Sequence, residues 1–152
     1  MTNGTRTSFL ADSNVHLYAH DQRDNLKRER AIAILDRLGA QRRGAVSTQI
    51  LGEFFWNATR KITPRLSVDD ALAQVHRLVD SWTVFSLTPE IVLTAIRGVA
   101  AHQFPYWDAL IWATARLNGV PVVLSKDFND GATIEGVRFL NPFRVAFDVA
   151  TL

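Results

Sequence analysis

The chain has 152 residues, 47% hydrophobic and 21% charged; no apolar run approaches the roughly 18 residues of a membrane span, and no signal-peptide pattern is present. We therefore expect a cytoplasmic protein without a membrane segment, and the absence of cysteine excludes disulfides, thiol nucleophiles and thiolate zinc sites. The chain has 17 lysines and arginines and 15 acidic residues, so its net charge is only +2. Any binding of a polyanion must therefore depend on locally grouped cations.

The first half of the chain predicts strands and helices in alternation. Residues 8–11 form a short apolar strand that ends at Asp12, and "RDNLKRERAIAILDRLG" predicts an amphipathic helix that stops at Gly39. "GAVST" predicts a second strand, and "QILGEFFWNATRK" predicts the helix after it. "SVDDALAQVHRLVDSW" predicts a helix capped by Ser67. That helix has an apolar face of four residues: Leu72, Val75, Leu78 and Val79.

The second half continues the alternation. "TVFSL" predicts a third strand, and the helix after it begins at Thr88 and extends to about His102. "FPYWDALIWATARLNG" predicts a helix that ends at Gly119, and "VPVVLS" and "GVRFLNPF" predict the last two strands. Residues 144–152 carry no clear pattern, and we expect a tail or an edge element there. This alternation predicts an α/β fold with a mainly parallel sheet covered by helices.

Four acidic residues fall where such a sheet gathers functional side chains. In an open parallel sheet, the binding crevice lies outside the carboxyl ends of the strands. Asp12 follows the first predicted strand, and Asp127 follows "VPVVLS". Glu53 lies about two turns into the helix after the second strand, and Asp108 lies in the first turn of the helix that leads to "VPVVLS". Each has an ordinary explanation as a cap, a first-turn residue, an exposed residue or a turn residue. Independent caps and turns do not, however, predict one acid from each successive unit at the same edge.

Four carboxylates at one edge would repel each other strongly. Two such groups ~4 Å apart repel by about 1 kcal/mol in water and about 4 kcal/mol at an effective dielectric constant of 20. One or two divalent cations would offset this repulsion, and an all-oxygen set suits Mg²⁺ or Mn²⁺. Such ions lower the pKa of a bound water and stabilise charge on a phosphoryl group, which suits phosphodiester hydrolysis.

Four separated motifs resemble the PIN-domain family of metal-dependent ribonucleases, and within it the VapC toxins of toxin–antitoxin pairs. In family order they are "FLADSNVHLYAHD", "VSTQILGEFF", "PYWDALIWATA" and "VVLSKDFNDGATIEGVRFLNPF", and they span residues 9–143. The resemblance implies one three-layer α/β/α domain over residues 1–152, with a parallel five-stranded sheet between helices. The sequence departs from the family pattern at Ser13, where Thr is frequent, and at Lys126, where many relatives have an acid.

The resemblance also implies an active site. Asp12, Asp108 and Asp127 would hold Mg²⁺ or Mn²⁺ directly, and the hypothesis for Glu53 is that it binds a second ion or orients the attacking water. The reaction implied is endonucleolytic hydrolysis of RNA.

Further residues and partners follow from the same resemblance. Asn14 and Ser125 would support the site as polar neighbours, and Asp130 would be either an outer acid or a plain turn residue. The implied partners are the RNA substrate and a cognate antitoxin, which would cover a hydrophobic groove and block the site. Homodimers are common among VapC-like proteins, so we also expect a homodimer.

Three other patterns have both a functional and an ordinary explanation. His16 and His20 would share a helical face, but a zinc site needs more ligands than two. Trp107 and Trp112 would serve either base stacking or core packing. Two basic pairs would either contact an RNA backbone or face solvent: Arg42–Arg43 and Arg60–Lys61.

Two other classes of function are compatible with the fold. One is an RNA-binding module that does not cut, and the other is a catalytically silent protein-interaction partner. The intact acidic quartet argues against both. The chain contains no GxSxG, Walker A or GxGxxG pattern, so the serine hydrolase and nucleotide-binding classes lack a motif.

Overall fold

A six-stranded sheet forms the centre of the described part of the molecule, which in this computed structural model is residues 8–152. Residues 1–7 of the predicted domain lie outside it. The strands are β1 Phe9–Ala11, β2 Gly44–Ser47, β3 Thr83–Phe85, β4 Val122–Leu124, β5 Thr133–Ile134 and β6 Val137–Leu140. Their order is β3-β2-β1-β4-β6-β5, and all neighbouring pairs are parallel except β5 and β6.

Helices cover both faces of this sheet. Within the described residues they are α1 Ser13–Tyr18, α2 Asn25–Ala40, α3 Thr48–Ala58, α4 Val68–Ser81, α5 Pro89–His102, α6 Tyr106–Leu117 and a 3₁₀ helix Val149–Thr151. Leu10 and Val123 point into a core shared with α3, α5 and α6, whereas Phe9 and Leu124 pack with α2. The predicted three-layer α/β/α fold is confirmed. No helix between residues 8 and 152 is both long enough and apolar enough to span a bilayer.

Two helix starts follow the capping signals in the sequence. The Ser67 side chain accepts a hydrogen bond from the N–H of Asp70, and α4 begins at Val68, directly after Ser67. The Thr88 side chain accepts from the N–H of Ile91, and α5 begins at Pro89. Each cap satisfies a backbone donor that the first helical turn leaves without a partner.

The prediction of five strands was wrong by one. Glu135 and Gly136 both have positive φ, 49° and 85°, and they reverse the chain in a two-residue turn. The preceding Thr133 and Ile134 therefore pair antiparallel with β6. A strand of two residues is too short to show an alternating pattern in the sequence.

The predicted apolar face of α4 is only half used by the core. Val75 and Leu78 pack against the buried residues, whereas Leu72 and Val79 are 48% and 49% exposed. The physical reason is the position of α4 against β3, the terminal strand of the sheet. One side of this helix therefore has no neighbouring layer to cover it within the described residues.

The C-terminal segment lies against α2. Arg30 donates to three backbone carbonyl groups there, and its distance to the oxygen of Phe147 is 2.7 Å. Arg37 donates to the backbone carbonyl of Leu152, whose side chain is buried. Residues 144–152 thus cover the α2 face of the molecule.

Candidate active site

The candidate site lies at the carboxyl ends of the adjacent strands β1 and β4. β1 has β2 on one side and β4 on the other, so the strand order reverses between β1 and β4. Crevices at such points are the usual ligand sites of open α/β sheets. Asp12 directly follows β1 and Ser125 directly follows β4, and the N–H of Asp12 donates to the carbonyl of Leu124 at 2.9 Å.

A hydrogen-bond network joins the two strand ends. The Ser125 hydroxyl donates to Asp12 Oδ2 at 2.7 Å, and Asp127 N–H donates to the same hydroxyl at 3.1 Å. Asn14 Nδ2 lies 3.3 Å from Asp12 Oδ2 and 3.2 Å from Asp127 Oδ2. Asp12 Oδ1 also accepts from the N–H of Ser13 at 2.7 Å, so this residue caps α1. The capping role considered for Asp12 is therefore observed.

Glu53 is held by two neighbours. Ser13 Oγ lies 3.5 Å from Glu53 Oε1, and Gln49 Nε2 donates to Glu53 Oε2 at 3.2 Å. The same Gln49 amide donates to the carbonyl of Trp107 at 3.1 Å, next to Asp108 in the first turn of α6. Sequence reasoning missed Gln49, although its position one helical turn before Glu53 was a usable signal. Its Oε1 is buried and has no partner in the described residues.

The acids share one electrostatic environment. Burial raises the pKa of Asp12 to about 7, and repulsion from Glu53 and Asp127 adds to that shift against the hydrogen bond from Ser125. Burial also raises the pKa of Glu53, with further repulsion from Asp108 and Asp127. The pKa of Asp108 is raised by burial and then by Asp127. The four predicted acids thus lie within electrostatic range of one another.

These acids form a set of oxygen donors of the kind that hard divalent cations prefer. No three Asp, Glu or His side chains within residues 8–152 converge closely enough to enclose a metal ion as they stand. Asp127 is 52% exposed and lies 3.8 Å from the ammonium group of Lys126. The donor chemistry fits a divalent cation, while the outer carboxylates would have to turn toward Asp12 to share it.

Two residues considered in the sequence lie outside the acidic network. Asp130 Oδ1 accepts from the N–H of Asn141 at 2.8 Å, and its Oδ2 is 3.6 Å from Arg144 Nε, so this acid secures the segment after β6. His16 is buried and its Nε2 lies 3.2 Å from the carbonyl oxygen of Ala11. Burial lowers the pKa of His16 to about 4, so the imidazole is neutral at pH 7.

Comparison with known proteins identifies the family. The model of the PIN domain family matches residues 9–129. The chain belongs to the PIN-domain family. The family predicted from the four motifs is therefore confirmed, and the match includes Asp12, Glu53, Asp108 and Asp127. No curated protein sequence is similar enough to this PIN domain to count as a relative.

Several solved structures have a fold similar to that of this PIN domain. A toxin–antitoxin complex from Klebsiella pneumoniae aligns with a TM-score of 0.67 at 17% identity, covering 91% of this chain and 100% of that one. VapC20 of Mycobacterium tuberculosis, a sarcin-ricin loop cleaving toxin, aligns with a TM-score of 0.63 at 22% identity, covering 86% of this chain and 99% of that one. DNA-bound VapBC from Salmonella typhimurium aligns with a TM-score of 0.61 at 22% identity, covering 87% of this chain and 96% of that one. At these identities the likeness establishes the fold.

Proposed function

We propose that this PIN domain is a metal-dependent endoribonuclease that hydrolyses RNA phosphodiester bonds in the cytoplasm and serves as the toxin of a toxin–antitoxin pair. The observation that carries the proposal is the hydrogen-bond network that joins Asp12 to Asp127 at the ends of β1 and β4, with Glu53 and Asp108 within electrostatic range of it. The similarity to VapC20, a sarcin-ricin loop cleaving toxin, and to DNA-bound VapBC supports both parts of it.

The acids divide into two roles in this proposal. Asp12, Asp108 and Asp127 would hold Mg²⁺ or Mn²⁺, and Glu53 would hold a second ion or orient the attacking water. When bound, such an ion lowers the pKa of water and neutralises charge on the phosphoryl group. Glu53 is suited to orienting water because Ser13 and Gln49 fix its carboxylate from two sides.

Polar neighbours would keep the acids in place. Asn14 donates toward both Asp12 and Asp127, and Ser125 links the same two residues through its hydroxyl and the N–H of Asp127. Groups that orient ligating carboxylates are important for metal affinity because they fix the donors before the ion arrives. Asn14 and Ser125 are therefore positioning residues in this proposal.

An RNA backbone needs cations beside so acidic a site. Arg60 and Lys61 follow α3, the helix that carries Glu53, and neither forms a salt bridge with a described residue. The Arg60 guanidinium lies 3.4 Å from the ring centre of Trp56, which is 54% exposed. Arg42–Arg43 precedes β2 and so lies at the opposite edge of the sheet. In this proposal Arg60 and Lys61 are the phosphate contacts, because they follow the helix that carries Glu53.

The antitoxin would cover a cavity between α1, α2 and α4. This cavity has a volume of about 280 Å³, and apolar and aromatic side chains such as Leu35, Phe54, Leu78 and Trp82 line it together with His20. A mixed apolar surface of this kind suits a helix or strand from a small protein partner. Co-expression with the product of a neighbouring small gene, followed by co-purification, tests this part of the proposal.

The nuclease part is tested with purified protein and a pool of cellular RNA. Wild type is expected to cut with Mg²⁺ or Mn²⁺ and to stop cutting when EDTA is added. The Asp108→Asn protein is expected to be inactive, and Asp130→Asn serves as a matched control that stays active because Asp130 contacts Asn141 and Arg144. Cleavage that survives both EDTA and Asp108→Asn would contradict the proposal.

The same preparation separates the other classes of function. RNA binding with Mn²⁺ but without cleavage of any RNA would favour a non-cutting RNA-binding module. Failure to bind either metal or RNA would favour a protein-interaction partner. Size-exclusion chromatography with light scattering tests the expected homodimer independently of activity.

A further inference from the structure

A second cavity opens directly beside the acidic site. It has a volume of about 240 Å³ and lies between the end of α5 and the loop after β4. Two of the four acids, Asp108 and Asp127, form part of its wall. Whatever enters this cavity therefore lies next to the groups that would act on the RNA backbone.

Aromatic rings form the apolar side of the cavity. Phe128 stacks on the buried Phe139 with ring centres 4.3 Å apart and an angle of 16° between the planes. Phe104 meets Phe128 edge-on at 6.4 Å and also contacts Trp112 at 5.3 Å. The rings of Phe104, Phe128 and Phe139 hold each other, and all three line the cavity.

Two side-chain amides lie on the polar side of the cavity. Gln103 and Asn129 both line it, both are exposed, and neither side-chain amide bonds to another described residue. Gln103 ends α5 in the left-handed conformation with φ of 58°, which closes the helix just before Phe104. Amide side chains carry a donor and an acceptor side by side, and this pair matches the edge of a nucleobase.

We propose that this cavity holds one nucleobase of the RNA beside the phosphodiester that is cut, and thereby sets the sequence preference of the enzyme. The inference rests on the proposed nuclease function and specifies how its substrate is read. Pockets for drug-sized ligands measure roughly 300–1,000 Å³, so this smaller cavity suits a single ring system. Stacking on Phe104 or Phe128 would supply affinity, and the amides of Gln103 and Asn129 would supply discrimination.

The shared wall favours RNA over a protein segment as the occupant. A nucleotide carries its base and its phosphate on one sugar, so a base in the cavity brings the adjoining phosphodiester toward Asp108 and Asp127. A peptide side chain in the cavity carries no adjoining phosphodiester, so its binding would give no reason for two carboxylates in the cavity wall. The free amides point to the same occupant because they match hydrogen-bonding groups on a base edge.

The first measurement maps cleavage sites in a randomised single-stranded RNA pool. Asn129→Ala and Gln103→Gly remove one amide each, and glycine suits the left-handed backbone at position 103. Both variants are expected to flatten the base preference at one fixed position relative to the cut. Gln22→Ala, which removes an exposed amide far from the cavity in sequence, is the control and keeps the wild-type preference.

The second measurement uses binding alone, in the Asp12→Asn background. Phe128→Leu keeps an apolar side chain against Phe139 but removes the flat ring, so RNA affinity is expected to fall about fivefold or more. A thermal melt close to that of the parent protein shows that the variant is folded. Phe128→Ala gives the fuller truncation if it also melts as the parent does.

The outcomes separate the two levels of the proposal. Absence of cleavage by wild type with either metal overturns the nuclease function, and a flat base preference in RNA selected by Asp12→Asn then overturns the base pocket too. Wild-type cleavage with unchanged preference and affinity in Asn129→Ala, Gln103→Gly and Phe128→Leu overturns the pocket alone. Loss of self-association in these variants with unchanged RNA binding assigns the cavity to a protein contact and also overturns the inference.

Discussion

The hydroxyl of Ser125 lies 2.7 Å from Asp12 Oδ2 and joins side chains that are 113 residues apart in the sequence. Asp12 is only 5% exposed, and this hydrogen bond offsets only part of the cost of burying its charge. The acid at the centre of the site is therefore the one whose ionisation most disfavours the folded, metal-free protein.

Replacing Asp12 by Asn should stabilise the metal-free protein at neutral and higher pH. The pKa of Asp12 is raised from 3.8 in the unfolded chain to about 7 in the folded protein. Its contribution to the free energy of unfolding is therefore fully present below pH 3.8, where Asp12 is protonated, and is lost as the pH rises to about 7. The advantage of Asp12→Asn should grow over this window to on the order of a few kcal/mol and then level off. Urea unfolding in EDTA from pH 4 to 9 measures it; a difference independent of pH would contradict the assignment.

Removing the Asn14 amide should weaken metal binding more than it weakens the fold. Asn14→Ala deletes the donor that faces both Asp12 and Asp127, and the loss of such an orienting group typically reduces metal affinity about 10- to 100-fold. Titration calorimetry with Mn²⁺ measures the change. Asn118→Ala, which removes an amide that donates to the carbonyl of Thr114, should bind Mn²⁺ as wild type does.

Two mid-helix glycines should respond oppositely to alanine. A Cβ at Gly52 would meet nothing within 4 Å, so Gly52→Ala should stabilise by up to about 1 kcal/mol through helix propensity. A Cβ at Gly98 would come within 2.5 Å of the buried Trp112 ring, and Gly98→Ala should destabilise by about 1–3 kcal/mol. Chemical denaturation of the two variants checks the sign, and equal shifts would show that the α5 contact is wrong.

The turn before β6 should depend on the charge of Glu135. Arg97 binds this carboxylate through two contacts of 3.0 Å, and His102 Nε2 lies 2.6 Å away. The hydrogen bond from Arg97, and to a lesser extent the contact with His102, lowers the pKa of Glu135 to about 2. The contribution of Glu135 to the free energy of unfolding is therefore present above pH 4.5 and is lost as the pH falls toward 2. Glu135→Gln should therefore cost up to about 1 kcal/mol at pH 7 and little near pH 2. Denaturation at both pH values tests this, with Glu29→Gln as the unpaired control.

Neutralising the basic pair after α3 should reduce the salt dependence of RNA binding. If Arg60 and Lys61 each contact a phosphate, changing both to Gln lowers the slope of log affinity against log salt by about 1.4. Arg42→Gln, at the opposite edge of the sheet, should leave the slope unchanged. Filter binding of a short RNA to the Asp12→Asn protein from low to moderate salt measures both. Equal slopes for all proteins would place the RNA path elsewhere.

The acidic residues could be located from the sequence because parallel strands determine their position. Asp12 and Asp127 follow apolar runs, and the carboxyl ends of parallel strands meet at one edge, so their proximity needs only the fold class. Their detailed geometry could not be predicted in this way. The bond between Ser125 and Asp12 depends on the exact register of β1 against β4, and a sequence without an alignment does not specify that register.

Features that depend on distant packing stayed outside the sequence prediction. The short β5 is set by the backbone at Glu135 and Gly136, and two residues carry no periodicity. The apolar row on α4 looked like a core face, and only the position of this helix beside the last strand explains the exposed Leu72. The cavity beside Asp127 likewise requires three aromatic rings from separate segments.

The separation of Asp12 from Ser125 also has a consequence for synthesis of the chain. A ribosome makes β1 about 110 residues before β4, so a nascent or truncated chain that stops before β4 carries Asp12, Glu53 and Asp108 without Ser125 and Asp127. Such a fragment lacks the strand against which Asp12 is oriented. The oriented arrangement of Asp12 therefore forms only in a chain that includes β4.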